Sequence, residues 1–523
     1  MTTTSDRSSM PRALWLLGTW VALTVPSQDP ALAQPGGPQA AMPCETLASI
    51  ALPNTRITMA QRVDSGAFVA PAPPIPVPQN FSRVPAFCRV TATVAPVTGS
   101  EIKIEVWLPS AGWNGKFVGV GNGGMSGAIW HFAMAEPLQG GYAVAGTNTG
   151  HDGDEADSRF AVERPEAMTD YAWRAVHEMT VKAKAIILAH YGRNARHAYW
   201  IGCSSGGRQG LKEAQRFPAD YDGIVAGAPA NNWMPLMAYA ANVQRVMTDS
   251  AVGLTPRHLE LLQAAAIAAC DANDGVNDKV IEDPQRCAFD PATLRCNATN
   301  AQNCLTDRQV AAVRSLYAGV VTRSGTLMPG PTPGGELAWM AFTPRIFPIG
   351  ANYMRDVVMR DASWNLATLD FDRDIARGIA EDRAQVTTTE ANLGAFVGRG
   401  GKLLLWHGWT DALIPARNTV EYYEKALAAS GGDARNAIRL FMLPGVDHCG
   451  DGEGTFVFDA LQVIDAWVER GQAPERIVAQ RPPVGGGAPR TRPLCGYPQI
   501  ARYRGTGSTD DERSFDCGMP APR

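Results

Sequence analysis

Residues 197–214 read HAYWIGCSSGGRQGLKEA, and this stretch decides the fold prediction. Its first five letters form an apolar run typical of a buried strand, and its Gly-rich second half begins a helix. Between them, residues 202–206 (GCSSG) match G-x-S-x-G, in which small residues permit a tight turn from strand to helix. The match alone is weak because Gly and Ser are common. In this strand–turn–helix setting it predicts that Ser204 stands at a helix N-terminus, where the helix dipole favours developing negative charge.

The flanking segments extend the same pattern. Residues 170–191 predict a long amphipathic helix before the quoted strand, and residues 222–228 (DGIVAGA) predict the next strand after it. Strand, helix and strand in succession predict a parallel sheet with helical crossovers, which is an α/β fold. Further strands are predicted on both sides, at residues 88–95, 102–108, 116–121, 141–146, 401–406 and 438–443, with a closing helix at 459–469.

The middle of the chain breaks this alternation. From residue 232 to residue 393 no regular strand–helix pattern is visible, which indicates an insertion into one α/β sheet. We therefore predict a catalytic domain in two parts, residues 34–231 and 394–523, with an inserted lid domain at residues 232–393.

The N-terminal residues predict export. Arg7 and Arg12 precede the apolar run of residues 13–25, and Ala31-Leu32-Ala33 is a small-residue cleavage site. We expect residues 1–33 to be a signal peptide cut after Ala33, so that the mature protein is secreted or periplasmic. The alternative is a membrane anchor, but the apolar run is shorter than the ~20 residues that span a bilayer.

Composition indicates a globular chain with no preference for polyanions. The 523 residues include 47 Lys and Arg against 51 Asp and Glu, a net charge of −4, so nothing points to nucleic acid or an anionic membrane as a partner. With 45% hydrophobic and 19% charged residues, the chain does not have the composition of a disordered protein.

A serine nucleophile needs a base and an acid, and the chain offers both in the order Ser, acid, His. Asp411 follows the predicted strand at 401–406, and His448 follows the one at 438–443. Both would lie beyond the carboxyl ends of parallel strands. The predicted roles are attack by Ser204, proton transfer by His448, and orientation of the imidazole by Asp411.

Other assignments are open. Asp447 adjoins His448 and is an alternative acid, and His407 is an alternative base that more often would pack locally. Ser205 is an alternative nucleophile, although it shifts the motif. As an oxyanion hole we predict the backbone N–H of Ser205 and one from Gly123 or Gly124, which follow an earlier strand; an ordinary glycine turn is the alternative.

Ten cysteines without a C-x-x-C pair argue against a zinc ribbon and favour disulfides in an oxidising compartment. Two of them adjoin candidate catalytic residues, because Cys203 precedes Ser204 and Cys449 follows His448. If these two pair, nucleophile and base are covalently held within reach of each other; two unrelated buried thiols are the alternative.

Residues 271–280 (DANDGVNDKV) place three carboxylates around a glycine turn, an oxygen-rich arrangement suited to calcium. The loop is not a good EF-hand, since its fifth position is Gly275, although Glu282 falls at the twelfth. A solvated acidic turn is the alternative.

These residues together resemble the tannase and feruloyl esterase family of secreted serine esterases. The resemblance rests on Cys203-Ser204, Asp411 and His448-Cys449, and it covers most of the mature chain. Four other segments also look like the family: GNGG at 121–124, GCSSGG at 202–207, FPADYDGIVAGAP at 217–229 and HGWTD at 407–411.

The resemblance implies an α/β-hydrolase fold with a large inserted lid domain and a calcium ion in the lid. It places the ion on the side chains of Asp271, Asp274 and Asp278 and on the carbonyls of Val276 and Val280. It also implies five disulfides that use all ten cysteines: Cys44–Cys88, Cys203–Cys449, Cys270–Cys287, Cys296–Cys304 and Cys495–Cys517.

The implied activity is hydrolysis of small aromatic esters, those of gallic or hydroxycinnamic acids, through an acyl-enzyme. Two alternatives are a terephthalate-monoester hydrolase of the same family and a non-catalytic, calcium-dependent binding protein on a hydrolase scaffold. Neither nucleic acid nor, for the mature form, a membrane is expected as a partner.

Overall fold

The computed structural model describes residues 41–71, 80–297, 303–431, 434–483 and 488–520, so the predicted signal peptide lies outside the described residues. The strands are β1 (Thr55–Val63), β2 (Phe87–Val94), β3 (Ile102–Pro109), β4 (Lys116–Val120), β5 (Ala143–Thr147), β6 (His197–Cys203), β7 (Gly223–Gly227), β8 (Val320–Thr322), β9 (Gly325–Met328), β10 (Lys402–Gly408), β11 (Ile438–Leu443), β12 (Arg476–Arg481), β13 (Arg490–Cys495), β14 (Ile500–Tyr503) and β15 (Phe515–Gly518).

A nine-stranded sheet in the order β1-β2-β3-β5-β4-β6-β7-β10-β11 forms the centre of the fold. The pairs from β5 to β11 are parallel, as the alternation predicted. The pairs from β1 to β5 are antiparallel, and β1 was not predicted. The protein therefore has the α/β-hydrolase fold with an antiparallel extension at one edge.

Both faces of this sheet are buried, because side chains alternate along each strand. In β6, Tyr199 packs on one side and Trp200 on the other, and both are fully buried. In β10, Leu404 faces the Tyr199 side, whereas Leu403 and Leu405 face the Trp200 side. Buried faces explain why these strands are continuous apolar runs in the sequence.

Helices cover the sheet and build most of the inserted region. They are α1 (His131–Gln139), α2 (Phe160–Glu163), α3 (Pro165–Thr169), α4 (Ala175–Tyr191), α5 (Ser205–Arg216), α6 (Trp233–Thr248), α7 (Pro256–Cys270), α8 (Asp307–Ala318), α9 (Ile349–Tyr353), α10 (Phe371–Glu381), α11 (Gly394–Gly398), α12 (Arg417–Ala429) and α13 (Ala460–Arg470). None of the helices within the described ranges is long and apolar enough to cross a bilayer.

The segment between β7 and β10 forms a helical layer with its own core. Its strands β8 and β9 pair only with each other. The core of this layer also includes side chains from outside the segment, among them Met125, Tyr171 and Ile414. The inserted region therefore packs directly on loops of the sheet; its boundaries at residues 232 and 393 remain a prediction.

Five disulfides pair all ten cysteines, with no free thiol. The pairs are the ones that the family resemblance implies: Cys44–Cys88, Cys203–Cys449, Cys270–Cys287, Cys296–Cys304 and Cys495–Cys517.

A buried polar cluster joins α13 to the amino ends of the parallel strands. The Lys116 ammonium lies 2.7 and 2.6 Å from the two carboxylate oxygens of Asp465. The hydroxyls of Tyr142 and Tyr199 donate to the same carboxylate at 2.6 and 2.5 Å. Although burial opposes ionisation, these donors hold the pKa of Asp465 below its ordinary value. The lysine also meets Glu469 at 2.8 Å, at a more exposed position.

We expect Asp465→Asn to destabilise the fold, because it removes the buried carboxylate that pairs with Lys116 and leaves the ammonium only the more exposed Glu469. Breaking a buried pair costs about 3–5 kcal/mol. The matched control is Glu469→Gln, which removes an exposed partner of the same lysine and should cost about 1 kcal/mol or less. Urea unfolding followed by circular dichroism measures both; equal losses for the two variants would contradict the role given to Asp465.

Candidate active site

Ser204 occupies a strained turn between β6 and α5. Its backbone has φ 62° and ψ −123°, a conformation rare for residues other than glycine. The turn is tight enough to exclude side chains around it, since a Cβ on Gly202 would overlap the backbone of Gly206, and one on Gly207 would overlap the Gly227 carbonyl. The small residues of the motif are therefore required by close backbone approach.

Asp411 and His448 meet beyond the carboxyl ends of β10 and β11. His448 Nδ1 lies 2.7 Å from Asp411 Oδ2. The other carboxylate oxygen accepts the backbone N–H groups of Leu413 and Ile414, both at 2.9 Å. Asp411 is fully buried. This geometry fixes the imidazole and leaves its Nε2 as the nitrogen that can take a proton.

The two groups shift each other's ionisation. Burial raises the pKa of Asp411, but the charge of His448 and hydrogen bonds from His407 and His448 hold it well below its ordinary value. Burial lowers the pKa of His448, yet the charge and hydrogen bond of Asp411 outweigh burial and raise it above 6.5. Asp411 therefore stays ionised beside an imidazole with strengthened basicity.

The alternative acid and base lie elsewhere. Asp447 accepts a hydrogen bond from the Thr410 hydroxyl at 2.8 Å and makes none with His448 in the described structure. His407 is fully buried, with Nε2 3.0 Å from Asp411 Oδ2 and Nδ1 2.7 Å from the Thr419 hydroxyl. It contacts the acid within the buried interior and packs locally, as the sequence favoured.

The Cys203–Cys449 disulfide brings the Ser204 turn to the His448 loop. Its two Cα atoms are 5.9 Å apart although they are separated by 246 positions in the chain. Ser204 Oγ makes no hydrogen bond with any described residue. The bridge thus sets the separation of the two loops, and the serine hydroxyl is free to turn toward the imidazole or a substrate.

Free backbone N–H groups flank Ser204. The N–H of Ser205 belongs to the first turn of α5, whose donors have no partner within the helix. Across from it, the Gly121–Gly124 loop packs on Gly206 so closely that a Cβ on Gly121 would meet it. Neither Gly123 nor Gly124 donates its N–H to a described acceptor. The loop and the helix together can hold an oxyanion.

Glu155 is a further acid at the site, and sequence reasoning missed it. Its carbonyl accepts the Met125 N–H at 2.8 Å, and its Oε1 lies 3.1 Å from where a Cβ of Gly123 would stand. Burial raises the pKa of Glu155 to about 7, with His448 opposing the rise and Asp154 adding to it. No sequence signal marks it, because it lies in an irregular loop that only the fold brings to His448.

Aromatic and cationic side chains of the inserted region lie in two different environments. Trp233, Trp339 and Phe342 are buried in the core of the inserted region. Arg345 is exposed and lines a cleft of about 610 Å³ that Glu155 also lines. This cleft separates the inserted region from the loop that follows β5.

The predicted calcium loop forms a small, oxygen-lined cavity. The cavity has a volume of about 20 Å³, and four of the five predicted ligands line it: Asp274, Val276, Asp278 and Val280. The carboxyl of Glu282 lines it as well. Burial raises the pKa of Asp274 to about 6, with Asp278 and Asp271 adding to the rise. A cavity of this size holds one water-sized guest, and carboxylate and carbonyl oxygens are the ligands that a hard cation takes. Arg490 and Arg492 also line the cavity.

The five predicted ligands nevertheless do not all converge on the cavity, because Asp271 lies outside it. The Asp271 carboxylate accepts the N–H groups of Asp278 and Lys279 at 3.3 and 3.0 Å and does not line the cavity. Arg492 donates to Asp278 at 2.6 Å. The donor set fits calcium in its chemistry, with Asp271 displaced from the other ligands.

A second group of side chains of the kinds that bind metals includes Glu213 of α5. Among the described residues, His177, Glu213 and Asp220 are the set whose ligand atoms lie within 4.8 Å of one another. His177 Nδ1 is engaged with Asp220 Oδ2 at 2.7 Å. Burial, with Asp220 adding to it, raises the pKa of Glu213 well above its ordinary value. Two of the three side chains, His177 and Asp220, are thus already engaged with each other.

The electrostatics at His448 predict the acid limb of a pH profile. A general base must be neutral, so kcat/KM for an uncharged ester should be lost as the pH falls through a value above 6.5. Glu155 contributes negative charge that raises the pKa of His448. Glu155→Gln should therefore move the limb to lower pH, by about half a unit to one unit.

Asp154→Asn is the matched control for Glu155→Gln. It removes the same charge one residue away, from an exposed carboxylate. We expect the limb of this variant to stay within about 0.2 pH units of wild type, since exposed charges are screened. An unmoved limb in Glu155→Gln, or an equal movement in Asp154→Asn, would contradict a local effect of Glu155.

Comparison with known proteins places the chain. The family profile described as "Tannase and feruloyl esterase" matches residues 88–518. A probable feruloyl esterase B-1 of Neosartorya fischeri is 34% identical, with 82% of this chain and 86% of the relative covered. The mono(2-hydroxyethyl) terephthalate hydrolase of Piscinibacter sakaiensis is also 34% identical, with 85% and 87% covered.

A solved structure agrees with both sequence relatives. The crystal structure of feruloyl esterase B from Aspergillus oryzae superposes with a TM-score of 0.84 at 32% identity, over 91% of this chain and 99% of that one. The match therefore includes the inserted region as well as the sheet. On this profile, these relatives and this fold, the chain belongs to the tannase and feruloyl esterase family and is a carboxylic-ester hydrolase.

Proposed function

We propose that this chain cleaves esters of aromatic acids, gallic or hydroxycinnamic, through an acyl-enzyme formed on Ser204. The observation that carries the proposal is the hydrogen bond between Asp411 and His448, which the Cys203–Cys449 bridge ties to the Ser204 turn. The relatives support the substrate class, since one is a probable feruloyl esterase and another is a terephthalate-monoester hydrolase.

In the proposed acylation, Ser204 Oγ attacks the ester carbonyl while His448 Nε2 takes the hydroxyl proton. The carbonyl oxygen becomes an oxyanion, which the N–H groups of Ser205 and of Gly124 or Gly123 stabilise. Collapse expels the alcohol, and His448 returns the proton to it. Asp411 keeps the imidazole oriented and stabilises its cationic form.

Deacylation repeats these steps with water in place of serine. His448 takes a proton from water, the hydroxide adds to the acyl carbonyl, and the free acid leaves as Ser204 recovers its proton. The net reaction consumes one water and yields one acid and one alcohol. No metal takes part in either half.

The alternative substrate is a terephthalate monoester, which the relative from Piscinibacter sakaiensis favours. A non-catalytic binding role is the other alternative, and the intact Ser204, Asp411 and His448 speak against it. An assay of methyl gallate, methyl ferulate and a terephthalate monoester, side by side, distinguishes these substrates by kcat/KM.

We further propose that the lid loop binds calcium in a structural role and that the chain is exported. The cavity lined by Asp274 and Asp278 supports the first point. Five disulfides and no free thiol support the second, because disulfides persist in oxidising compartments.

Ser204→Ala should abolish turnover of every ester in the panel. Removing the nucleophile of a triad lowers kcat by roughly 10⁴-fold or more. Ser315→Ala is the control, because Ser315 is an exposed serine on α8 that bonds only its own helix. Retained esterase activity in Ser204→Ala, with the purified protein free of contaminating esterase, would refute the assignment.

Removing calcium should lower the melting temperature without changing the triad. A ligand at 100 times its Kd stabilises the folded state by about 2.7 kcal/mol. Chelation should therefore destabilise wild type but not Asp274→Ala, which already lacks a side-chain ligand. Glu260→Gln, an exposed lid residue, is the control and should respond like wild type. A melting temperature indifferent to chelator and to added calcium would exclude a structural ion.

A further inference from the structure

One buried hydroxyl contacts both sides of the candidate oxyanion hole. The hydroxyl of Tyr171 donates to the Gly124 carbonyl at 2.7 Å and lies 3.4 Å from Ser205 Oγ. Tyr171 is fully buried, and burial keeps its pKa above the ordinary value, so the hydroxyl retains its proton as a donor. Gly124 belongs to the loop, and Ser205 begins α5.

The contact to the loop acts on a peptide that is held at both ends. Tyr171 binds the carbonyl of Gly124, and the N–H of the same peptide, on Met125, donates to the Glu155 carbonyl at 2.8 Å. Gly124 has φ +51°, and glycine is free to leave such a conformation. With the Gly124–Met125 peptide held at both its carbonyl and its N–H, Gly124 has less freedom to rotate. The N–H groups of Gly123 and Gly124, which precede this peptide, are therefore kept in their direction.

Arg208 of α5 in turn holds Tyr171 in place. It lies in a π-helical turn, Asp170–Arg174, that precedes α4. The fully buried Arg208 of α5 donates to the carbonyls of Tyr171 and Ala172 at 3.2 and 2.9 Å, and its guanidinium lies 4.7 Å from the centre of the Tyr171 ring. No described carboxylate pairs with this guanidinium. π-helical turns are often retained at functional sites.

We propose that Tyr171 is a positioning residue that sets the oxyanion hole by holding the Gly124 peptide and Ser205 at a fixed separation. The inference rests on the function proposed above. The tyrosine touches no reacting atom and acts through the N–H groups that it orients. Its hydroxyl is needed at the transition state, when charge develops on the substrate oxygen, and not for binding the ester.

Tyr171→Phe separates this role from packing. We expect kcat to fall roughly 10- to 100-fold, the effect of donors displaced by a fraction of an ångström, with KM changed less than about threefold. An aryl boronic acid, which forms a tetrahedral adduct with a serine nucleophile, should lose affinity in parallel with kcat. The product acid, a ground-state ligand, should bind as to wild type.

Tyr221→Phe is the matched control. Tyr221 is another fully buried tyrosine, and its hydroxyl bonds the Thr180 hydroxyl on α4 and no carbonyl of the Gly121–Gly124 loop. It should show a comparable loss of melting temperature with kcat within about twofold of wild type, since it loses one buried hydrogen bond. Equal kcat in the two variants, or a Tyr171→Phe loss confined to KM, would overturn the proposal.

Ser205→Ala tests the contact between Tyr171 and α5, and it does so even if Tyr171→Phe fails to fold. It keeps the Ser205 N–H and removes only the 3.4 Å contact between the two hydroxyls. We expect kcat to fall with unchanged KM, and a wild-type kcat would overturn the role given to this contact. Failure of the proposed function gives a different result. An active Ser204→Ala protein, or a wild type that the boronic acid does not inhibit, would contradict the proposed function itself, whatever the Tyr171 variant shows.

Discussion

The Cys203–Cys449 disulfide is the constraint on which the site depends. Ser204 follows β6 and His448 follows β11, and two strands, β7 and β10, lie between them in the sheet. Three strand spacings of about 4.8 Å would leave the two strand ends about 14 Å apart. The loops must therefore reach back across the sheet edge, and the bridge, with Cα atoms 5.9 Å apart, holds them there. Asp411, in the loop that follows the intervening β10, then lies beside His448.

The inserted region is coupled to this site through shared packing. Its core contains Met125 and Tyr171 from the oxyanion side and Ala412 and Ile414 from the acid loop. The backbone N–H of Ile414 also donates to Asp411. Changes in the packing of the inserted region therefore reach the acid loop and the oxyanion loop directly, so the inserted region is a structural part of the site.

The sequence predicted local features well and long-range contacts poorly. The elbow at Ser204 and the strands of the parallel sheet could be predicted because periodicity and turn chemistry are local signals. The helix predicted at 170–191 begins with the π-helical turn at Asp170–Arg174 and continues as α4. Two carbonyls of that turn accept hydrogen bonds from Arg208 on another helix, a contact that no local pattern predicts. Glu155 and Tyr171 gave no pattern, because their roles arise from tertiary contacts with His448 and Gly124.

His407 is a second histidine that contacts the carboxylate of Asp411. Its Nε2 lies 3.0 Å from both Asp411 Oδ2 and the Ile414 carbonyl, so this nitrogen carries a hydrogen. Its Nδ1 lies 2.7 Å from the Thr419 hydroxyl, so both ring nitrogens have partners inside the protein. A buried carboxylate without enough hydrogen-bond donors is costly. His407 supplies one of these donors beside His448, and it therefore supports Asp411 in the position from which the carboxylate orients the catalytic imidazole.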